Sequence, residues 1–177
     1  YLSADEIRAI NELIDGIERD TGAEIAVVVV PSLRDDIFST AQELFDRWKI
    51  GKEGVDNGLL IIADIGGHQF RTHTGYGMEG LFTDAMLSYL QESLVIPGFK
   101  EGRYGESLIG YLETIGSMLR DPAVQGEVSS SADKYARKAA FRENAVGFFV
   151  FANAGIAIDL LGLVLLVQSV SNANKTA

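Results

Sequence analysis

The sequence predicts an α/β fold, a sandwich of helices around a small mixed sheet, followed by a single transmembrane helix. Three observations carry that prediction. Two short strand-like blocks, residues 24–30 and 59–63, are joined by one helical pattern, the arrangement of a right-handed βαβ unit with parallel strands. Amphipathic helical patterns flank both blocks, so apolar faces exist to cover a sheet from two sides. Residues 145–170 are overwhelmingly apolar, and at ~1.5 Å per residue a helix of that length exceeds the roughly 30 Å hydrocarbon core.

Each element has its own local reason. Ser3-Ala4-Asp5-Glu6 is a capping box, Ile7, Ile10, Ile14 and Ile17 follow on one helical face, and Gly22 is a natural stop. Residues 24–30 are rich in valine and end at Pro31, as a strand does. Asp35-Asp36 places acid at a helix start. Phe38, Ala41, Leu44, Phe45 and Trp48 then form an apolar stripe, read as core and closed by Gly51.

The centre of the chain is residues 54–85. Val55-Asp56-Asn57-Gly58 is a polar turn that runs into Leu59-Leu60-Ile61-Ile62-Ala63, apolar on both faces as a doubly covered strand should be. Residues 64–69 read as a turn, and Phe70-Arg71-Thr72-His73-Thr74 alternates like a half-buried returning strand. Gly75-Tyr76-Gly77-Met78-Glu79-Gly80 follows, with glycine at a density that calls for positive φ or close backbone approach. Thr83 caps a helix with Leu87, Leu90 and Leu94 inward, which Pro97-Gly98 should stop. After a loop, Leu108, Leu112, Ile115 and Leu119 form a last helical face before Asp121-Pro122.

Composition divides the chain. Residues 1–122 form the α/β domain, 123–144 a linker with a basic juxtamembrane segment (Lys134, Arg137, Lys138, Arg142), 145–170 the span and 171–177 a tail. Residues 1–133 hold 10 basic and 23 acidic side chains, a net of −13, and residues 134–177 hold 5 and 2, a net of +3. The acidic part repels phosphate backbones, which argues against nucleic-acid binding. The chain has no cysteine, which excludes disulfides, thiolate metal sites and a cysteine nucleophile. Its start at Tyr1 fits a processed or incomplete N-terminus. A buried C-terminal helix is the alternative to a span, but an all-round apolar helix would need more covering surface than the rest of the chain offers.

Two loops concentrate the chemistry. Asp56, Asn57 and Asp84, with backbone carbonyls of the glycine-rich loops, suit a hard cation such as Ca²⁺. A plain Asn-Gly turn accounts for Asp56-Asn57 equally well. Gly75, Tyr76, Gly77 and Glu79 make a ligand or partner loop, without the strand-turn-helix context that dinucleotide binding requires. His68 and His73 read as solvated strand residues rather than ligands or bases. No serine stands beside a plausible histidine base, and a carboxylate nucleophile with one metal stays open as a hydrolytic arrangement.

The succession Leu2-Ser3, Gly22-Ala23-Glu24-Ile25, Leu44-Phe45-Asp46-Arg47-Trp48-Lys49-Ile50-Gly51, Asp56-Asn57-Gly58, Thr74-Gly75-Tyr76-Gly77-Met78-Glu79-Gly80, Thr83-Asp84-Ala85 and Pro97-Gly98-Phe99-Lys100 resembles the TPM-domain family over residues 2 to about 120. That family includes thylakoid-lumen proteins of photosystem II assembly and repair, a nematode receptor-accessory protein and exported bacterial proteins with one membrane anchor. The resemblance implies a Rossmann-like three-layer α/β/α sandwich, divalent metal near the Asp56 region, and a periplasmic or lumenal domain. Four basic residues before the span and only Lys175 after it would instead put the domain on the cytoplasmic side. Weak acid phosphatase activity attributed to the family makes a membrane-tethered, metal-dependent acid phosphatase-like hydrolase the second reading.

The first reading is a membrane-anchored accessory or assembly subunit of a larger integral membrane complex, photosynthetic complexes among the candidates, in contact with lipid through its anchor. Asp159 supports it: near the bilayer centre a lone carboxylate costs ~2.5–3.5 kcal/mol, and Asn153 lies on roughly the opposite side of the helix. Gly155 and Gly162 bracket it and would let a neighbouring helix approach closely, so Gly155, Asp159 and Gly162 form the expected membrane contact.

Overall fold

Burying one strand on both faces sets the architecture. The computed structural model describes the backbone of residues 1–154 and the side-chain surroundings of residues 1–140. Strand β2, Gly58–Asp64, is buried at every position. It lies between β1, Glu24–Val30, and β3, Gln69–Thr74, in a three-stranded sheet of order β1-β2-β3. β1 pairs with β2 in parallel, from Glu24 opposite Gly58 to Val30 opposite Asp64. β3 returns antiparallel, from Asp64 opposite Gln69 to Leu59 opposite Thr74. The small mixed sheet and the βαβ connection are as the sequence predicts.

Alternation along β2 divides the core. Leu59 and Ile61 join Ile25 and the helices α1, Ala4–Thr21, and α5, Tyr104–Arg120. Leu60 and Ile62 face the opposite way and join Ile37 and Ala41 of helix α2, Ile37–Trp48. Fully burying four side chains of this size contributes about 1.5–3 kcal/mol each as an upper bound, comparable in sum to the whole stability of a small domain.

Helix α1 begins with the expected capping box: Glu6 N–H donates to Ser3 Oγ at 3.2 Å and Ser3 N–H donates to Glu6 Oε2 at 2.7 Å. Those bonds from Ser3 hold the Glu6 carboxyl below its ordinary pKa. Gly22 closes the helix with φ 75°, a left-handed conformation that glycine adopts without steric cost. On α5, Tyr111 is fully buried, and its hydroxyl shares a 2.8 Å hydrogen bond with Thr72 Oγ1 of β3. Burial pushes the Tyr111 pKa up to about 12, against the lowering effect of the Thr72 bond.

Three expectations are corrected. Pro97-Gly98 does not stop the helix that Thr83 caps. Helix α3, Asp84–Leu90, passes into a π-helical turn, Gln91–Val95, and then α4, Ile96–Lys100. The π turn places Pro97 in the first turn of α4, where a missing N–H deprives no bond. Residues 123–133 are not an irregular linker but the start of helix α6, Pro122–Ala154. Pro122 begins it, as proline favours, and Val124, Val128 and Ala132, four apart, pack on the main core. One compact unit accordingly runs Tyr1–Lys134 and a second Tyr135–Ala177. Finally, Phe38 and Trp48 are 59% and 52% exposed, because a three-stranded sheet offers α2 room for only part of its apolar stripe.

Most of the expected span, 145–170, lies outside the described residues. Among those described, no helix is long and apolar enough to cross a membrane.

The close contact between α1 and α5 at Gly116 is testable. A Cβ at Gly116 of α5 would stand 2.8 Å from Ile17 Cγ1, and Ile17 is fully buried. Gly116→Ala gains about 1 kcal/mol of helix propensity but meets an overpacking cost of about 1–3 kcal/mol. We expect a net loss of stability in urea unfolding. Gly110→Ala, on the same helix with nothing within 4 Å, should instead gain stability, by up to about 1 kcal/mol.

Candidate functional site

Two loops meet at one end of the sheet, before β2 and after β3. Asn57 fastens the first: its Oδ1 accepts from Lys52 N–H at 2.9 Å and its Nδ2 donates to the Gly22 carbonyl at 2.7 Å. Gly51 N–H donates to the Glu24 carboxylate at 2.8 Å, tying the same loop to β1. The second loop is sewn onto the first through backbone. Gly75 N–H donates to Gly58 O at 2.9 Å and Gly77 N–H to Asp56 O at 3.1 Å.

That sewing explains the glycines. A Cβ at Gly75 would strike the Asp56 carbonyl oxygen, and one at Gly77 the Val55 carbonyl oxygen. Neither has positive φ, so close approach, not left-handed geometry, is what requires glycine here. The result is a fixed rim. Met78 is buried beneath it, while Tyr76 stands 80% exposed, with Val55 and Leu81 also exposed.

The expected cation ligands are only partly gathered. Both ends of the Asn57 side chain bond to protein backbone. Asp56 is exposed, at φ 53°. Asp84 is the first residue of α3, whose cap Thr83 accepts from Met86 N–H through Oγ1 at 3.3 Å. Glu79 and Asp84 do share a recess of 420 Å³, walled by Arg71, His73 and Leu87. Among the described residues, no three His, Asp or Glu side chains come together as a metal-holding group. Gly155, Asp159 and Gly162 lie outside the described residues.

The histidines differ from the expectation of two solvated side chains. His68 is exposed in the β2–β3 turn, at φ 52°. His73 instead meets Phe45 edge-on, ring centroids 4.7 Å apart. Burial, and secondarily the nearby Arg71 charge, hold its pKa below the ordinary 6.5. Sequence reasoning also passed over Arg71. Its guanidinium lies 4.0 Å over the Phe38 ring, and its Nε is buried without a hydrogen-bond partner. The signal was there: residues 71 and 73 share one strand face, and the helix covering that face carries aromatics at 38 and 45.

The sequence of this site and scaffold matches a model of the TPM domain over residues 1–118. The chain belongs to the TPM domain family. Solved structures agree in fold. The N-terminal domain of a P. gingivalis protein is 31% identical with a TM-score of 0.61, over 67% of this chain and 76% of that one. The BA42 protein of the psychrophilic bacterium Bizionia argentinensis is 25% identical with a TM-score of 0.60, over 67% of this chain and 81% of that one. The N-terminal domain of a Corynebacterium glutamicum protein, 20% identical with a TM-score of 0.52 over 66% of this chain and 72% of that one, shares the fold. No curated protein matches the chain.

In this TPM domain the lowered His73 pKa makes stability pH-dependent. The unfolded state takes up the proton near pH 6.5 while the folded state still resists it, so stability is full above that pH and falls as pH drops below it. His73→Leu should flatten this loss, measured as thermal unfolding between about pH 7 and pH 5. An unchanged slope would remove His73 as its source.

Proposed function

We propose that this TPM-domain protein is a non-catalytic accessory subunit of a larger membrane protein complex. It docks through the rim at Val55, Tyr76 and Leu81 and is anchored by residues 145–170. The observation that carries the reading is Tyr76, 80% exposed on backbone that its glycine neighbours lock to the adjoining loop. Tyrosine gives a large contact area at low cost in side-chain entropy, and a rigid base lowers the ordering cost of binding. Asp159 and its flanking glycines supply the matching contact inside the membrane.

The test is co-purification of the full chain from its source membrane in mild detergent. Tyr76→Ala should lose the complex while its unfolding temperature stays unchanged, since the side chain packs little. Asp159→Leu should insert at least as well and also co-purify less. Retention of the complex by both variants would overturn the reading.

A divalent cation on the acidic rim is the second reading, favoured by Glu79 and Asp84 bordering one recess. Neither is in a salt bridge among the described residues. With Asn57 committed to backbone and Asp56 outside that recess, Glu79, Asp84 and loop carbonyls are the remaining donors. Ca²⁺ at about 100 times its Kd should add about 2.7 kcal/mol of stability, seen as a raised unfolding temperature that Asp84→Ala removes. Equal unfolding with and without Ca²⁺ would end it.

A further inference from the structure

β3 is an edge strand. It pairs with β2 on one side only, and among the described residues no backbone hydrogen bond leaves its outer side. Alternate residues of β3 therefore present unpaired N–H and C=O groups, the template onto which another extended chain adds.

The space beside that edge is open along the strand. One recess of 420 Å³ runs from Thr74 and Glu79 to Arg71 and Leu87. A second, of 470 Å³, shares Arg71, Thr72, Asp84 and Leu87 with it and continues to Phe70 and Gln91. A third, of 620 Å³, takes over at Phe70 and Gln91 and ends at Gln69 and Lys100. The first two lie between β3 and α3, and the third adjoins them between the start of β3 and residues 91–104.

Charge and polarity within these recesses state what they would take. Arg71 faces them from the middle, lining both of the first two, while the carboxylates Glu79, Asp84 and Glu92 stand towards the ends and leave Arg71 as the central cationic contact. Its guanidinium rests on Phe38 at 4.0 Å, its Nε is buried without a partner, and it is in no salt bridge among the described residues. Asp36 is close enough to feel this charge, but its Oδ2 accepts from Ser39 N–H at 2.8 Å and Ser39 Oγ at 2.9 Å. A buried donor left open costs stability that a bound acceptor restores. The opposite face of β3 is apolar on the α3 side, where Phe70, Phe82 and Leu87 belong to the main core or pack against it.

We propose that the β3 edge binds an extended segment of a partner protein as a fourth strand, with an acidic residue opposite Arg71. Directly opposite residues on paired strands have Cβ atoms about 4.5–5.5 Å apart and point to one face. The acid thus lies beside the guanidinium, where a bidentate, charge-assisted pair forms. Its two neighbours in the segment point the other way, towards Leu87 and Phe70, and are apolar. The recognised pattern is apolar-acidic-apolar in an extended chain. Val55, Tyr76 and Leu81 line none of the three recesses, so loss of the Tyr76 contact and loss of this one are read separately.

The probe is the peptide acetyl-Thr-Val-Glu-Val-Thr-amide, titrated into the ¹⁵N-labelled full chain in mild detergent. Amide shifts should concentrate on residues 69–74 of β3 and 84–90 of α3, and saturate. The glutamine counterpart of the peptide, and the Arg71→Gln protein with the original peptide, should each bind about tenfold more weakly. Combining the two should weaken binding no further than either alone, since each removes the same pair. Shifts elsewhere, equal binding of the glutamine peptide, or additive losses would overturn the proposal. So would self-association of the chain through β3, or acetate reaching the same amides with the peptide's affinity. Shift mapping on the unmodified protein decides the matter even if Arg71→Gln unfolds.

Discussion

Everything in this TPM domain follows from hiding β2 on both faces. Residues 59–63 are fully removed from solvent, which a strand achieves only with neighbours on both edges and helices on both faces. α2 and α5 therefore lie on opposite faces of the sheet, and each helix contributes a stripe rather than a whole surface. β1 and β3 are exempt from this demand at their outer edges, and the freedom left to β3 is where a partner strand fits.

Burial of β2 also dictates the ends of the sheet. A strand that begins inside the core at Gly58 must be entered by a loop whose own backbone is satisfied before it gets there. Asn57 does this by bonding both the loop and the end of α1, and the glycines at 75 and 77 let the neighbouring loop close over it. The same residues that make the rim rigid make Tyr76 prominent. Rigidity and display are one construction.

The polar residues on the α2 side depend on that arrangement too. α2 covers the sheet with small and aromatic residues, and the aromatics shelter Arg71 and His73 instead of sealing the core. A cation over Phe38 and an imidazole against Phe45 are stabilised by the rings, yet each keeps polar capacity unspent. Such groups along a free strand edge give that edge a preference among incoming chains, where bare backbone alone would accept any.

The sequence by itself determined the elements whose cause is local. The Ser3–Glu6 capping box, the Gly22 stop, the valine run of β1 and the doubly apolar β2 were legible because capping, left-handed geometry and period-two burial act within a few residues. The motif blocks placed the chain in its family for the same reason, their order and spacing being written in the chain. What needed tertiary structure was every choice between alternatives of equal local merit. Glycine at 75 and 77 could serve positive φ or close contact, and only the carbonyls of Val55 and Asp56 settle it. Asn57 reads locally as a turn residue or a ligand, and its bond to Gly22, thirty-five residues away, is one that no local pattern contains. Residues 123–133 read as a linker by composition, but Val124, Val128 and Ala132 find the core and make them helical. Phe38 and Trp48 matched a core stripe, and the narrow sheet left them outside. In each case the deciding atom lies far along the chain, and proximity in space is the one quantity that local propensity does not contain.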